Sequence, residues 1–342
     1  MADKTAILVV NLGTPEGPTS GQVRTYLREF LSDPRVIDIP ALGRWLLLNV
    51  FILPFRPKKS AAAYAKIWTP EGSPLLVHTR RFAEKLRAVL PKGHRVEFAM
   101  RYGEPSMDTK MADLEKESLD KLIIFPLYPQ YSSAATGSTL EKALSLVGKH
   151  WNVPEVQVIG PFYQDPGFLD AVVANGKPLL DSLAPDHILF SYHGLPERQI
   201  HKSENLHGHC LKADDACCSE MSWKNQFCYR AQCFETTRKL AKRLGLDDTR
   251  YTTCFQSRLG RTPWIKPYTD ALIEELGRKG KKKVLVFSPS FVADCLETLE
   301  EISIRGQAAF REAGGEQLVL VPSLNSGDAW VGAARGMLNR GL

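Results

Sequence analysis

Short apolar runs recur along the chain. Most are closed by Gly, Pro or Ser before a stretch whose apolar positions repeat every three or four residues. The runs predict strands at Ala6–Asn11, Arg95–Met100, Leu122–Leu127, Val156–Ile159, His187–Ser191, Tyr251–Phe255, Val284–Phe287 and Leu318–Val321. The stretches between them predict amphipathic helices, clearest at Val23–Leu31, Arg80–Val89, Thr139–Val147, Phe168–Leu183, Thr236–Leu244, Thr269–Gly277 and Asp294–Ala313. A last helix is predicted at Asp328–Leu338. Strands that alternate with helices imply an α/β fold with parallel sheets covered on both faces. The near-continuous apolar strands Leu122-Ile123-Ile124-Phe125 and Val284-Leu285-Val286-Phe287 suit such burial.

These two strands also suggest an internal repeat. Lys121-Leu122-Ile123-Ile124-Phe125-Pro126 is echoed by Lys283-Val284-Leu285-Val286-Phe287-Ser288, and an irregular loop and a helix follow each. Two similar halves with a cleft between them are expected, with the boundary near Pro161–Pro166 and the last helix packed back on the first half. Ligands of open α/β sheets bind at the carboxyl ends of strands, so the loops there are the places to look for chemistry.

Composition narrows the function classes. The 342 residues are 44% hydrophobic and 24% charged, with a net charge of +6 spread along the chain. No basic stripe with interleaved aromatics appears, which argues against nucleic acid as a partner. The first residues read as a buried strand rather than a targeting segment, so a cytoplasmic location is expected. No apolar stretch approaches bilayer-spanning length. The longest, Trp45 to Phe55, is either a buried helix or a segment lying on a surface. Seven cysteines are present, five of them between Cys210 and Cys233, and such clustering without a secretory signal points first to metal.

Two motifs at predicted strand ends could carry chemistry. Asp294, Glu297 and Glu301 are spaced i, i+3, i+7, which on an α-helix places them on one face, with Leu296, Leu299 and Ile302 toward the core. The plain alternative is a solvated acidic face with Glu301 paired to Arg305. His193 stands in Ser191-Tyr192-His193-Gly194-Leu195-Pro196, where Gly194 would let a ligand approach the backbone. An imidazole opposite carboxylates suits a metal ligand or a proton acceptor. No G-x-S-x-G, GxGxxG or GxxxxGK[ST] is present, so neither a serine hydrolase nor a nucleotide site is expected. Gly13-Thr14-Pro15-Glu16-Gly17 is a poor phosphate loop.

Taken together, several stretches give the chain a close resemblance to the ferrochelatases over nearly its whole length. They are Asn11-Leu12-Gly13-Thr14-Pro15, Arg101-Tyr102, Tyr128-Pro129-Gln130-Tyr131-Ser132, Thr136-Gly137-Ser138, the His193 motif, Phe255-Gln256-Ser257-Arg258-Leu259-Gly260, Pro263-Trp264 and the run Phe291 to Glu301. The resemblance implies a chelatase fold of two Rossmann-like lobes: residues 1–163 completed by 327–342, and 164–326 carrying a cysteine-rich insertion at 201–228. It implies insertion of Fe²⁺ into protoporphyrin IX to form protohaem. The alternatives are a coproporphyrin ferrochelatase, another tetrapyrrole chelatase, or a non-enzymatic iron–sulfur sensor or carrier. His193 and Glu297 would be the central pair and bind the substrate iron, with Asp294 and Glu301 extending an acidic track. Whether His193 accepts protons or is the first iron ligand stays open. Asn11, Leu12, Arg56, Tyr64, Ser73, Arg101, Tyr102, Tyr128 and Trp264 would contact porphyrin, with Arg56, Tyr64 and Ser73 at its propionates.

The resemblance also bears on the cysteines. Some bacterial ferrochelatases hold a [2Fe–2S] cluster in an internal segment, which assigns Cys210, Cys217, Cys218 and Cys228 as ligands and ranks Cys233 fifth. A zinc site using His207 or His209 is the rival. The Trp45–Phe55 segment resembles a hydrophobic lip able to make peripheral contact with the inner membrane. Oligomeric state is left open.

Overall fold

A computed structural model describes residues 4–204, 208–211, 216–258, 260 and 262–340. His207 and Leu259, named above, lie outside the described residues. The chain divides into two compact units. One comprises Met1–Tyr128, Ser133–Gly160 and Ser326–Leu342, and the other Pro129–Ser132 and Pro161–Asn325.

Each unit is built on a four-stranded parallel sheet with helices around it. The first contains β1 (Thr5–Gly13), β2 (Arg95–Tyr102), β3 (Lys121–Pro126) and β4 (Glu155–Val158), in the order β2-β1-β3-β4. The second contains β5 (His187–His193), β6 (Tyr251–Gln256), β7 (Lys283–Phe287) and β8 (Gln317–Leu320), in the order β6-β5-β7-β8. The two orders are the same, and the echoing segments β3 and β7 hold the same place in each. All eight predicted strands are found, displaced by no more than a residue or two at their ends.

Sheets of this kind bury both faces, which explains the near-continuous apolar runs. In the first unit, Ala6, Leu8 and Val10 of β1 pack with Leu122 and Ile124 of β3 and with Met107, Met111 and Leu114 of helix Met107–Glu115. On the other face, Trp330 of helix Asp328–Asn339 stacks on Phe82 with ring centroids 5.4 Å apart, and meets Phe125 at 6.4 Å. In the second unit, Leu189, Val284, Val286 and Leu318 pack with Ile273, Ile302 and Phe310. Gly176 lets helix Pro166–Leu183 lie directly on Phe287, since a Cβ there would sit 2.1 Å from that ring.

Two helical expectations change. The Asp294–Ala313 helix is a π-helix, Leu296–Gly306, continued by a short α-helix, Gln307–Glu312. Its buried residues are Thr298, Glu300, Ile302 and Gly306, so Ile302 faces the core as expected while Leu296 and Leu299 are only half-buried. The counterpart after β3 also starts with π geometry, Ser133–Gly137, before helix Ser138–Val147. Trp45–Phe55 is not a buried helix. It runs through the end of helix Ala41–Leu46 and the π-turns Leu47–Ile52, with Trp45 57%, Phe51 67% and Phe55 74% exposed.

The Trp330 stack anchors a chain-terminal helix on a sheet whose strands come far earlier in sequence. Trp330→Ala should cost about 3–5 kcal/mol of stability, read as a lower urea midpoint; an unchanged midpoint would show that the helix does not bear on the fold.

Candidate active site and cysteine nest

The carboxyl end of β5 delivers His193. Its Nδ1 lies 2.6 Å from the Gly194 carbonyl, and its backbone N–H donates to Ser290 Oγ at 3.2 Å. A carbonyl oxygen only accepts, so Nδ1 carries a proton, and in the neutral ring Nε2 is the atom with the lone pair. Gly194 serves a close approach different from the one expected: a Cβ there would meet the Gln256 carbonyl at 2.8 Å and the Trp264 ring at 3.3 Å. The neighbour that excludes a side chain is the protein itself.

Beside β5, the end of β6 supplies Gln256 and Ser257. The Gln256 amide donates to the Glu297 carbonyl at 2.7 Å and to Glu301 Oε2 at 3.2 Å, and its oxygen accepts from Ser191 Oγ at 2.7 Å. Ser257 also donates to Glu301 Oε2, from a left-handed backbone with φ of 67°. A non-glycine residue in that region is uncommon and marks a position held by its surroundings. Arg305 closes on the other oxygen of Glu301 at 3.3 Å, the i+4 pair expected from the sequence. The π-helix turn, with i→i+5 bonding, keeps Glu297 and Glu301 together and also pairs buried Glu300 with Arg305 at 2.7 Å.

Burial, and then the charge of Glu297, push the Glu301 carboxyl above its ordinary range. The Ser257 hydrogen bond and the charges of His193 and Arg305 oppose this without cancelling it. Glu301 thus lies within electrostatic reach of both Glu297 and His193, which joins the two motifs in one site.

Asp294 is placed differently from the expectation of a helix face. It precedes the N-cap residue Cys295 and is buried. Its carboxylate accepts from Ser323 N–H, Thr298 Oγ1 and Asn325 Nδ2 at 3.2, 3.1 and 2.8 Å. It locks the start of the π-helix to the Ser323–Asn325 loop. Trp264 lies on a strip that bridges to Pro196, just past His193.

The remaining predicted substrate contacts belong to the first unit. Asn11 and Leu12 lie at the end of β1, Arg101 and Tyr102 at the end of β2, and Tyr128 just past β3. Asn11 is buried and donates to Thr79 Oγ1 at 2.9 Å. Ser73 accepts from Thr14 Oγ1 at 2.8 Å, and the Tyr128 hydroxyl bonds Thr139 Oγ1 at 3.3 Å. Arg56 and Tyr64 are carried by helix Arg56–Ile67, where Tyr64 is buried and Arg56 half-buried.

Arg101 and Tyr102 converge on Asp33, which sequence reasoning missed. Its Oδ2 receives Arg101 Nη2 and the Tyr102 hydroxyl, each at 2.8 Å, and Ser138 Oγ at 2.5 Å. Burial alone would raise this carboxyl. The bonds from Ser138, the Arg35 backbone and Tyr102, with the charge of Arg101, outweigh it and hold Asp33 below its usual value.

The four predicted cluster cysteines are all buried and adjoin one another. Cys217 and Cys218 sulfurs are 3.8 Å apart, and the Cys228 thiol hydrogen-bonds with both Cys218 and Cys210. The bond to Cys210 and burial push Cys228 up to about 12, against the bond to Cys218, which lowers it. Glu204 fixes Cys210 by accepting its backbone N–H at 2.8 Å, and Asn225 fixes Cys217 by donating to its carbonyl at 2.7 Å. Arg230 donates to Cys218 Sγ at 3.2 Å. Cys233 is buried against the Tyr229 hydroxyl. Among the described residues no group of three His, Cys, Asp or Glu is arranged to hold a metal ion. The donor set itself suits an iron–sulfur group: four clustered thiols, two of them at the span of about 3.8 Å expected for ligands on one tetrahedral metal with bonds of about 2.3 Å, and a cation at one sulfur.

Residues 4–342 match the Ferrochelatase family model. The chain is 47% identical over 340 residues to a protein named Ferrochelatase from Coxiella burnetii (strain Dugway 5J108-111), covering 99% of this chain and 94% of that one. It is 48% identical over 333 residues to a Ferrochelatase of Legionella pneumophila (strain Lens), covering 97% and 98%. The solved structure titled "SirB from Bacillus subtilis with Fe3+" shares the fold, with a TM-score of 0.52 at 13% identity over 98% of this chain and 95% of that one.

A carboxyl raised in the folded state supports the fold while protonated, and that support fades as pH rises through the raised value. Glu301→Gln cannot ionise, so its melting temperature relative to wild type should climb as pH rises from the ordinary carboxylate range through the raised value of Glu301. A gap independent of pH would contradict the electrostatic strain assigned to Glu301.

Proposed function

Because the chain belongs to the ferrochelatase family, whose reaction is insertion of Fe²⁺ into protoporphyrin IX to give protohaem in haem biosynthesis, we propose that His193 is the acceptor of the pyrrole protons. Metal insertion replaces two N–H protons by one Fe²⁺, so a base must take up protons where the nitrogens are exposed. The observation that carries the assignment is the Nδ1–H bond to the Gly194 carbonyl, which leaves Nε2 as the basic atom. When Nε2 takes up a proton, the Gly194 carbonyl still accepts from Nδ1–H and keeps the ring oriented. Glu297 and Glu301 supply oxygen donors of the kind that handle Fe²⁺ and pass protons outward. Asp294 supports them by fixing the start of the π-helix.

Asn11, Leu12, Arg101, Tyr102, Tyr128 and Trp264 are assigned to the porphyrin, and Arg56, Tyr64 and Ser73 to its propionates. Arg101 and Ser73 spend hydrogen bonds on protein partners, which makes them shapers of the site. Cys210, Cys217, Cys218 and Cys228 are assigned to a [2Fe–2S] cluster, favoured over zinc by the four adjoining thiols. When bound, such a cluster supplies one-electron chemistry. Trp45, Phe51 and Phe55, with Leu42 and Val50, are assigned to a peripheral membrane contact, because these large apolar side chains, close together in sequence, are all exposed. No helix among the described residues is long and apolar enough to cross a membrane.

Three measurements test these assignments. His193→Ala should lower haem or zinc-porphyrin formation by about 100-fold or more; retained turnover would remove His193 as the base. Anaerobically purified protein should show visible sulfide-to-iron bands that vanish in the Cys217→Ser/Cys218→Ser double variant, whereas a colourless zinc protein would rule out the cluster. Phe51→Asp with Phe55→Asp should abolish cosedimentation with phospholipid vesicles, and undiminished binding would put the contact elsewhere.

A further inference from the structure

Arg230 is a buried guanidinium that the reaction does not use. It follows Cys228 and Tyr229 in the first turn of helix Tyr229–Leu244, and its head reaches two places. Nη1 donates to Cys218 Sγ at 3.2 Å and Nη2 to the Lys266 carbonyl at 3.2 Å, while the head lies 4.6 Å from the Phe234 ring centroid.

Lys266 ends a strip that is tied by backbone bonds to the loop leaving His193. Ile265 N–H donates to the Leu195 carbonyl and Glu197 N–H to the Pro263 carbonyl, both at 3.0 Å, and Trp264 bridges to Pro196. A second link runs from the same helical turn. The Tyr229 and Ser290 hydroxyls share a hydrogen bond, and Ser290 Oγ accepts the His193 backbone N–H at 3.2 Å. The cysteine nest and His193 are therefore joined by two short polar paths, both beginning at residues that follow Cys228.

We propose that Arg230 is a positioning residue that couples the cysteine nest to His193, by clamping Cys218 Sγ to the Lys266 carbonyl and so holding the Pro263–Lys266 strip against the His193 loop. The inference deepens the cluster assignment and rests on it for the identity of the bound group. A buried guanidinium is costly unless its neighbours are negative. Thiolates gathered around a metal provide that charge, whereas neutral thiols do not. Filling the nest tightens the clamp at Cys218, and the planar fork then holds Lys266 with its other arm. Emptying the nest loosens the clamp and frees the strip, which shifts the imidazole rather than removing it.

The test compares wild type with Arg230→Gln and Arg230→Lys, purified anaerobically. Visible bands, reduction midpoint, and kcat and KM for Zn²⁺ insertion into porphyrin are measured before and after stripping the nest with a chelator that is then removed. Stripping should lower wild-type kcat by about 10-fold with little change in KM. Arg230→Gln should keep the bands, show a lower midpoint because a cation has left the sulfur, begin with kcat already about 10-fold down, and change less than about 2-fold on stripping. Arg230→Lys, which keeps charge without the fork, should retain the midpoint but not regain kcat. Equal losses on stripping in wild type and Arg230→Gln, no loss in wild type, or wild-type kcat in Arg230→Gln would each overturn the coupling. Absence of bands in wild type would refute the cluster alone. The clamp would then be read from Cys218→Ala, Arg230→Gln and their combination: coinciding losses in kcat support it, and multiplying losses overturn it.

Discussion

The side-chain amide of Gln256 is the bond on which the candidate site depends. One end accepts from Ser191 within β5, and the other donates to the Glu297 carbonyl and the Glu301 carboxylate. The Gln256 backbone carbonyl also accepts the Gly194 N–H at 2.7 Å. A single residue at the end of β6 thus ties the strand that carries His193 to the π-helix that carries the acids. Replacing it would leave buried polar partners on both sides unsatisfied, which costs more than the bonds themselves contribute. The strand-end rule for α/β sheets supplies the place, and Gln256 sets the geometry within it.

The burial cost of polar groups governs the other arrangements as well. Asp33 gathers a guanidinium and two hydroxyls, Asp294 gathers a backbone amide, a hydroxyl and a side-chain amide, and Glu204 gathers the backbone amides of Gly208, His209 and Cys210. Each is a buried or nearly buried carboxylate that organises a loop at or near a functional residue. Glu301 is the exception: its neighbours include another carboxylate, and its charged form is disfavoured. Sites of acid–base chemistry differ from structural carboxylates in this respect.

Much of this was legible in the sequence. The eight strands were readable because burial on both faces leaves long apolar runs, and the echo between β3 and β7 gave the repeated topology. His193, Glu297 and Glu301 were legible as strand-end residues. The π-helix was not, because an α-helical period was assumed and the i+3 and i+4 spacings suit both helices over one turn. That assumption placed Asp294 on a face it does not share. Asp33 and Gln256 were missed because their importance lies in partners far away in sequence. Trp45–Phe55 was ambiguous because an apolar run reads alike whether it is covered or exposed.

The π-helix has a further consequence. Its i→i+5 bonding fits more residues into each turn than an α-helix does, so it behaves like an α-helix that has absorbed extra residues. The phase of everything downstream then depends on residue count. Deleting one residue between Glu297 and Glu301 would turn the following segment by roughly a quarter of a turn, swinging Glu301 off Ser257 while leaving the hydrophobic composition unchanged. Length, more than the identity of the intervening side chains, is therefore the quantity this stretch must preserve, and insertions and deletions should be far less tolerable here than substitutions at exposed positions such as Ser303 and Ile304.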